Sequence, residues 1–383
     1  MAPSLAGTSR RLRRHRFTTS QHPPYRRCGP ANALRDQSAV TPECTYRANM
    51  DKRAERDGTI SGFLTTAGWS SAARTALAGD ASFRRYWRLT DGARCAVLMD
   101  APPDKIDIRP FLAIDAHLRG LGYSAPEILA ADAATGLAVL EDLGDATLAQ
   151  RLAAGDDPDR IFGLAIDWLI DVHGRGAAAI PAGLPAYDDG RLLEEVERFL
   201  LWYLPAARGT PVDDDARRNF EAIWRALLPK ARTVPETMVH RDFFIDNLLV
   251  LPRPGLTALG LLDFQDAVVG PVTYDLVSLL EDARRDLPAP LIDAMRARYR
   301  AAFSDLSGAD FDASWAVMAA HRHVKCLGLF VRLAQRDGKP GYLRHIPRLW
   351  RLLDQALTHP ALHQLAHWLE REVPAARRVV PAL

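Results

Sequence analysis

HRDFFIDNLLVLPRPGLTALGLLDFQD, residues 240–266, decides how the rest of the chain is read. Asp242 and Asn247 stand five positions apart, and Asp263 follows two short apolar runs separated by Pro252, Pro254 and Gly255. Such runs around a Pro/Gly turn predict a hairpin over 248–251 and 259–262. The hairpin sets Asn247 just before one strand and Asp263 just after the other, so their side chains converge. Hard oxygens of this kind suit a magnesium ion. Phosphoryl transfer from ATP needs those ligands and a carboxylate that takes the hydroxyl proton, the part assigned to Asp242 at the loop apex. Singly, each is an ordinary turn residue; the combination carries the reading. His240 is assigned to structural support of the loop because Asp242 already supplies the base. Asp275 is expected to bond the loop backbone, although it or Thr273 also suits a helix cap. Asp266 reads either as a substrate or metal contact or as a turn carboxylate.

Upstream, residues 59–142 alternate short β segments with one helix. Strands are predicted over 74–77, 85–89 and 95–99, then a helix over 108–121 with Phe111, Ile114, His117, Leu118 and Leu121 on one side, then strands over 127–129 and 137–140. Between the first two strands lies GDASFRRY, residues 79–86, where Ser82 and Arg84 or Arg85 would donate to phosphate oxygens. An exposed hairpin tip with solvated arginines fits the same letters. Glu141 to Leu143, after the fifth strand, offer backbone groups to an adenine ring, or form a polar strand-to-helix turn.

Beyond Thr147 the pattern outside the central hairpin is helical, with segments over 160–173, 192–204 and 216–228. Asp213, Asp214 and Asp215 precede the last of these and read as a capped, dipole-matched N-terminus. Residues 311–335 carry His321, Arg322, His323, Lys325 and Arg332 on an otherwise apolar helix. Arg322 or Lys325 would meet an acceptor carboxylate; cations on a solvated face are the plainer alternative.

Composition bounds the function. The chain has 383 residues, 48% apolar and 25% charged, enough for two packed parts. Its formal charge of +2 hides an asymmetry: residues 1–49 hold nine arginines against Asp36 and Glu43, a local +7 that leaves −5 for the remainder. A mildly acidic body excludes a nucleic-acid footprint. The four cysteines form no zinc or disulfide pattern, no stretch is apolar enough to span a membrane, and no obligate protein partner is indicated, so a cytoplasmic protein is expected. Residues 1–49 lack apolar periodicity and read as a disordered or mis-assigned extension, with an Arg-rich transit segment as the alternative.

The loop spacing resembles the H-R-D-x-x-x-x-N signature of protein kinases, with Asp263-Phe264-Gln265 in place of D-F-G. Strand order upstream resembles a kinase small lobe, yet Met99 stands where those enzymes place a lysine. HRDFFIDN, DFQDAVVGPVTYDLVSLL, LEDLGD, GDASFRRY and RDGKP together resemble the aminoglycoside phosphotransferase/choline kinase superfamily, and within it the anomeric amino-sugar kinases of bacterial cell-wall recycling. That resemblance implies an α+β, bilobal protein-kinase-like fold, with a nucleotide-binding lobe over 59–142 and a helical lobe over 143–383. It implies ATP and Mg2+, and an acceptor that is N-acetylmuramate or N-acetylglucosamine, phosphorylated at the anomeric hydroxyl. The rivals are an aminoglycoside kinase, whose acceptor site should be acidic, and a silent kinase-like binding module, which Met99 would suit.

Overall fold

The computed structural model describes residues 42–77 and 83–383. Two compact units are distinguished, Met1–Ala54 and Glu55–Leu383. Helix α1 spans Pro42–Thr66, so residues 42–49, assigned above to the extension, are helical. The reading of residues 1–41, like that of Ser82, lies outside the described residues.

Five antiparallel strands follow: β1 (Ala73–Ala76), β2 (Arg85–Asp91), β3 (Arg94–Asp100), β4 (Ile128–Asp132) and β5 (Leu137–Glu141), in the order β1-β2-β3-β5-β4. Helix α2 (Arg109–Gly120) connects β3 to β4. Alternation along the strands sends side chains to two faces. Leu89, Ala96, Leu98, Leu137 and Val139 pack on Ile60 and Leu64 of α1 and on Trp69. Met99, Ala138 and Leu140 join Phe111, Ile114 and Leu118 of α2 in the main core. Met99 is wholly buried there, a packing residue at the position considered for a phosphate-binding lysine. Gly136 closes the turn before β5 at φ +68°; a Cβ there would lie 1.9 Å from the Ala101 carbonyl oxygen, so no other residue fits.

The remaining helices are α3 (Leu148–Ala153), α4 (Pro158–Gly174), α5 (Asp189–Arg198), α6 (Leu204–Arg208), α7 (Asp214–Ala231), α8 (Thr273–Leu280), α9 (Ala289–Ala302), α10 (Gly308–Gln335), α11 (Ile346–Ala356) and α12 (His363–Glu372). Thr147, Asp157, Asp188 and Asp213 cap α3, α4, α5 and α7 by accepting backbone N–H groups, which is the role expected of Asp213. A π-helical turn, Phe199–Tyr203, joins α5 to α6. It passes against α10 at Gly328, where a Cβ would come within 2.2 Å of the Arg198 carbonyl carbon.

Four strands are set among these helices: β6 (Glu236–Val239), β7 (Leu248–Val250), β8 (Leu259–Leu261) and β9 (Val268–Pro271). The expected hairpin is β7 with β8, paired Leu248↔Leu261 through Val250↔Leu259. Strand β9, pairing with β6 from Glu236↔Pro271 to Val239↔Val268, departs from the all-helical expectation. Its four residues, Val-Val-Gly-Pro, are too few for periodicity to register. Helix α10 also differs from the solvated alternative. His321, Arg322, His323 and Lys325 are all buried, and α10 runs through the main core. The α+β, two-part architecture is the one the sequence predicts. Among the described residues, no helix is long and apolar enough to cross a membrane.

Candidate active site

Two ribbons bracket the site. β6/β9 brings residue 240 beside 267, and β7/β8 brings Asn247 beside Leu262, whose N–H donates to the Asn247 carbonyl at 3.0 Å. The loop between is wound by its own bonds. Phe244 N donates to Asp242 O at 3.1 Å and Asn247 N to Phe244 O at 2.9 Å. Asn247 Nδ2 also donates to Asp242 O at 3.0 Å, leaving its Oδ1 without a protein donor among the described residues. Phe243 is buried between Trp168 and His240, with ring centroids 5.3 and 5.7 Å away. Apolar packing on Phe243 therefore holds its neighbour Asp242 at the surface of the loop. Asp242 is half-buried, and its carboxylate accepts no hydrogen bond from the described residues.

Arg241 and Asp263 are the only non-glycine residues with positive φ among those described, at +72° and +62°. Each such conformation costs about 1–3 kcal/mol and persists only where the surroundings impose it. For Arg241 the imposing group is Asp275, which is buried in α8. Its carboxylate accepts from His240 N at 2.6 Å and from Arg241 N at 3.0 Å. No side chain caps α8; Thr273 bonds Ser314 instead. Burial pushes the Asp275 carboxyl up to about 7, against the pull of those two amides and of Arg322. Burial likewise lowers His240, keeping the ring neutral.

At Asp263 the next residue, Phe264, is fully buried and stacks on Phe111 of α2, with centroids 5.1 Å apart. That contact links the sheet-side helix to the turn presenting Asp263. Asp263 Oδ1 accepts from Arg84 Nη2 at 2.9 Å and from Gln265 Nε2 at 3.0 Å, and the residue stays partly exposed. Of the two candidate arginines, Arg84 reaches Asp263, whereas Arg85 turns to buried Asp100 at 2.7 Å, which it shares with Arg56. Adjacent residues of an extended chain point to opposite sides.

Glu141 pairs with Arg253 and accepts from Glu127 N, so its side chain secures the end of β5. Leu143 follows with a backbone N–H and C=O that make no hydrogen bond among the described residues. Asp266 is exposed, and its carbonyl accepts from Arg241 Nη1 at 3.1 Å. On α10, Arg322 Nη1 donates to Arg241 O at 3.2 Å, while its Nε and Nη2 have no protein acceptor among the described residues and keep contact with solvent. Lys325 does not stand ready for an acceptor carboxylate. Its Nζ lies 2.9 Å from Glu195 Oε1 and 3.2 Å from the Tyr274 hydroxyl, so its charge is already matched.

Glu195 is the residue sequence reading passed over. It lies on the buried stripe of α5, Leu192-Glu195-Val196, which Phe199 continues into the π-helical turn, and an acid on an apolar stripe was the available signal.

The Asp/Asn pair with free oxygens fits a magnesium ion held partly by a bound nucleotide. Among the described residues no cluster of three His, Cys, Asp or Glu groups offers an all-protein metal cage. Residues 74–321 match the model of the phosphotransferase enzyme family. The chain belongs to that family. The N-acetylmuramate/N-acetylglucosamine kinase of Caulobacter vibrioides is 37% identical over 366 residues, covering 86% of this chain and 100% of that protein. A protein of the same name from Pseudomonas aeruginosa is 37% identical over 324 residues, covering 82% and 93%. Among phosphotransferases of known structure, a choline/ethanolamine kinase family protein from Mesorhizobium loti superposes with a TM-score of 0.54 at 15% identity, covering 82% of this chain and 99% of that one. This family member is thus a phosphotransferase enzyme with the two-lobed fold of its relatives.

Proposed function

We propose that the protein transfers the γ-phosphoryl group of ATP to the anomeric hydroxyl of N-acetylmuramate or N-acetylglucosamine, giving the sugar 1-phosphate and ADP. The observation that carries the chemistry is the unencumbered Asp242 carboxylate, set within one loop and one hairpin of Asn247 and Asp263. In the transfer, Asp242 takes the hydroxyl proton as the sugar oxygen bonds to the γ-phosphorus. The bond from that phosphorus to the β,γ-bridging oxygen breaks, and its electrons leave with ADP. An anomeric hydroxyl is more acidic than other sugar hydroxyls, so a carboxylate base suffices. Asn247 Oδ1 and Asp263 would hold magnesium, which when bound neutralises phosphate charge. Arg84, beside Asp263, and Ser82 would donate to phosphate oxygens. The free backbone groups of Leu143, next to Glu141, suit the adenine edge. The nucleotide lobe is taken as 59–142 and the acceptor lobe as 143–383.

The acceptor assignment rests on the names of the relatives together with Arg322. Guanidinium donors that reach solvent without a protein acceptor suit an anion, and the lactyl carboxylate of N-acetylmuramate is one. Asp266, exposed beside Asp263, would contact sugar hydroxyls. The same cation argues against a polycationic antibiotic as acceptor. ATP consumption and the free thiols of Cys95 and Cys326 suit the cytoplasm. The test is ADP release by purified protein with magnesium-ATP and, separately, N-acetylmuramate, N-acetylglucosamine, kanamycin and choline. ADP with either amino sugar is expected; none with both overturns the proposal.

A further inference from the structure

Beneath the catalytic loop lies a buried charge cluster that the proposed transfer does not use directly. Glu195 of α5 is only 3% exposed and serves two cations from different elements. Its Oε1 accepts from Lys325 Nζ of α10 at 2.9 Å and also pairs with Arg241 Nη2 of the loop, while its Oε2 accepts from the Tyr187 hydroxyl. The other Arg241 Nη1 donates to Asp266 O at 3.1 Å, tying the loop to the turn that follows Asp263. The Arg241 backbone is held as well, its N–H on Asp275 and its C=O under Arg322. Every anchored group of Arg241 therefore bears on the peptide leading into Asp242, and the left-handed φ of +72° is kept by that anchoring.

We infer that Glu195 is a positioning residue for the transfer step, the shared counterion through which Arg241 fixes the turn that aims Asp242. The inference rests on the phosphoryl-transfer reading above. Without the Glu195 charge, Lys325 and Arg241 become two buried like charges with nothing between them, and the shorter path to relief is release of the loop arginine. Displacement of a base by about 1 Å is enough to cost roughly 100-fold in rate.

The experiment compares wild type, Glu195→Gln and the double variant Glu195→Gln/Lys325→Met. Amide hydrogen exchange is followed in the peptide covering 240–247, with α4 as internal control. Glu195→Gln should exchange about tenfold faster in the loop and not in α4, and lower kcat about 10- to 100-fold while KM for ATP stays within about threefold. Removing Lys325 as well takes away the repulsion, so the double variant should regain part of both the protection and kcat. A purely structural role would lower stability without that rescue. Loop exchange and kcat at wild-type values in folded Glu195→Gln overturn the inference, as does a rise in KM for ATP with kcat intact. Should Glu195→Gln fail to fold, Glu195→Asp, which keeps the charge but withdraws it by one methylene, is read by the same exchange criterion. Should wild type release no ADP, the proposed activity fails while the exchange comparison still decides the role of Glu195.

Discussion

The catalytic loop and the α10 helix beneath it contain the same kinds of residue, Asp, Arg and His among apolar neighbours, yet they handle charge in opposite ways. In the loop, Asp242 and one side of Asp263 are left open, and the backbone is bent around them at Arg241 and Asp263. In α10, the buried Lys325 charge is answered by Glu195, and buried His323 shares a hydrogen bond with Glu281 at 2.7 Å. Arg322 stands between the two regimes, buried like its neighbours but with donors to spare. Charge proposed to do chemistry is kept available by apolar packing of the residues next to it, whereas charge that holds position is consumed by partners.

The contrast is broken most severely by Asp242→Asn, which removes the open carboxylate proposed as the base. The expected loss in kcat is about 10²–10⁴-fold, with Tm close to wild type, measured by coupled ADP assay and calorimetry. A fall in rate of less than tenfold would mean the loop carboxylate is not the base. Arg322→Met should come next, raising KM for N-acetylmuramate by roughly 10- to 100-fold and leaving that for N-acetylglucosamine within a few-fold, since only the former offers a carboxylate. Equal losses with both sugars would return Arg322 to the purely structural side of α10.

Asp275 sharpens the comparison through pH. Its folded-state carboxyl is raised from 3.8 to about 7 by burial, so the fold holds a proton that the unfolded chain has released. The stability it lends is present below about pH 4 and is lost as pH rises toward 7. Between pH 5 and 7, wild-type Tm should fall relative to Asp275→Asn, which cannot titrate; parallel curves would show that the two amides and Arg322 keep Asp275 ionised throughout. The smallest effects separate the neighbouring arginines. Arg84→Ala should raise KM for ATP by about 5- to 10-fold, and Arg85→Ala should leave it unchanged while lowering Tm by a few degrees, as Asp100 keeps only Arg56.

The loop was legible because its information is local: residue types at fixed spacing, a Pro/Gly turn and two apolar runs. The strands and helix of the first lobe were legible for the same reason, with bounds moved by at most three residues. What sequence could not carry was pairing across distance. Nothing at Glu195 announces Lys325, 130 positions later, or Arg241, 46 positions later. Strand β9 depends on β6 for its existence, and the separation of Arg84 from Arg85 depends on Asp263 and Asp100. The solvated face stood as the plainer alternative for the α10 cations because Glu195, the partner of Lys325, sits on another element.

Where the phosphorus goes tests the proposed chemistry most directly. Phosphorus NMR of the product from N-acetylmuramate and magnesium-ATP should give a sugar phosphate whose phosphorus couples to the anomeric proton, with one equivalent of ADP. Coupling to any other sugar proton, or ATP left intact, would contradict a base at Asp242 acting on the anomeric hydroxyl.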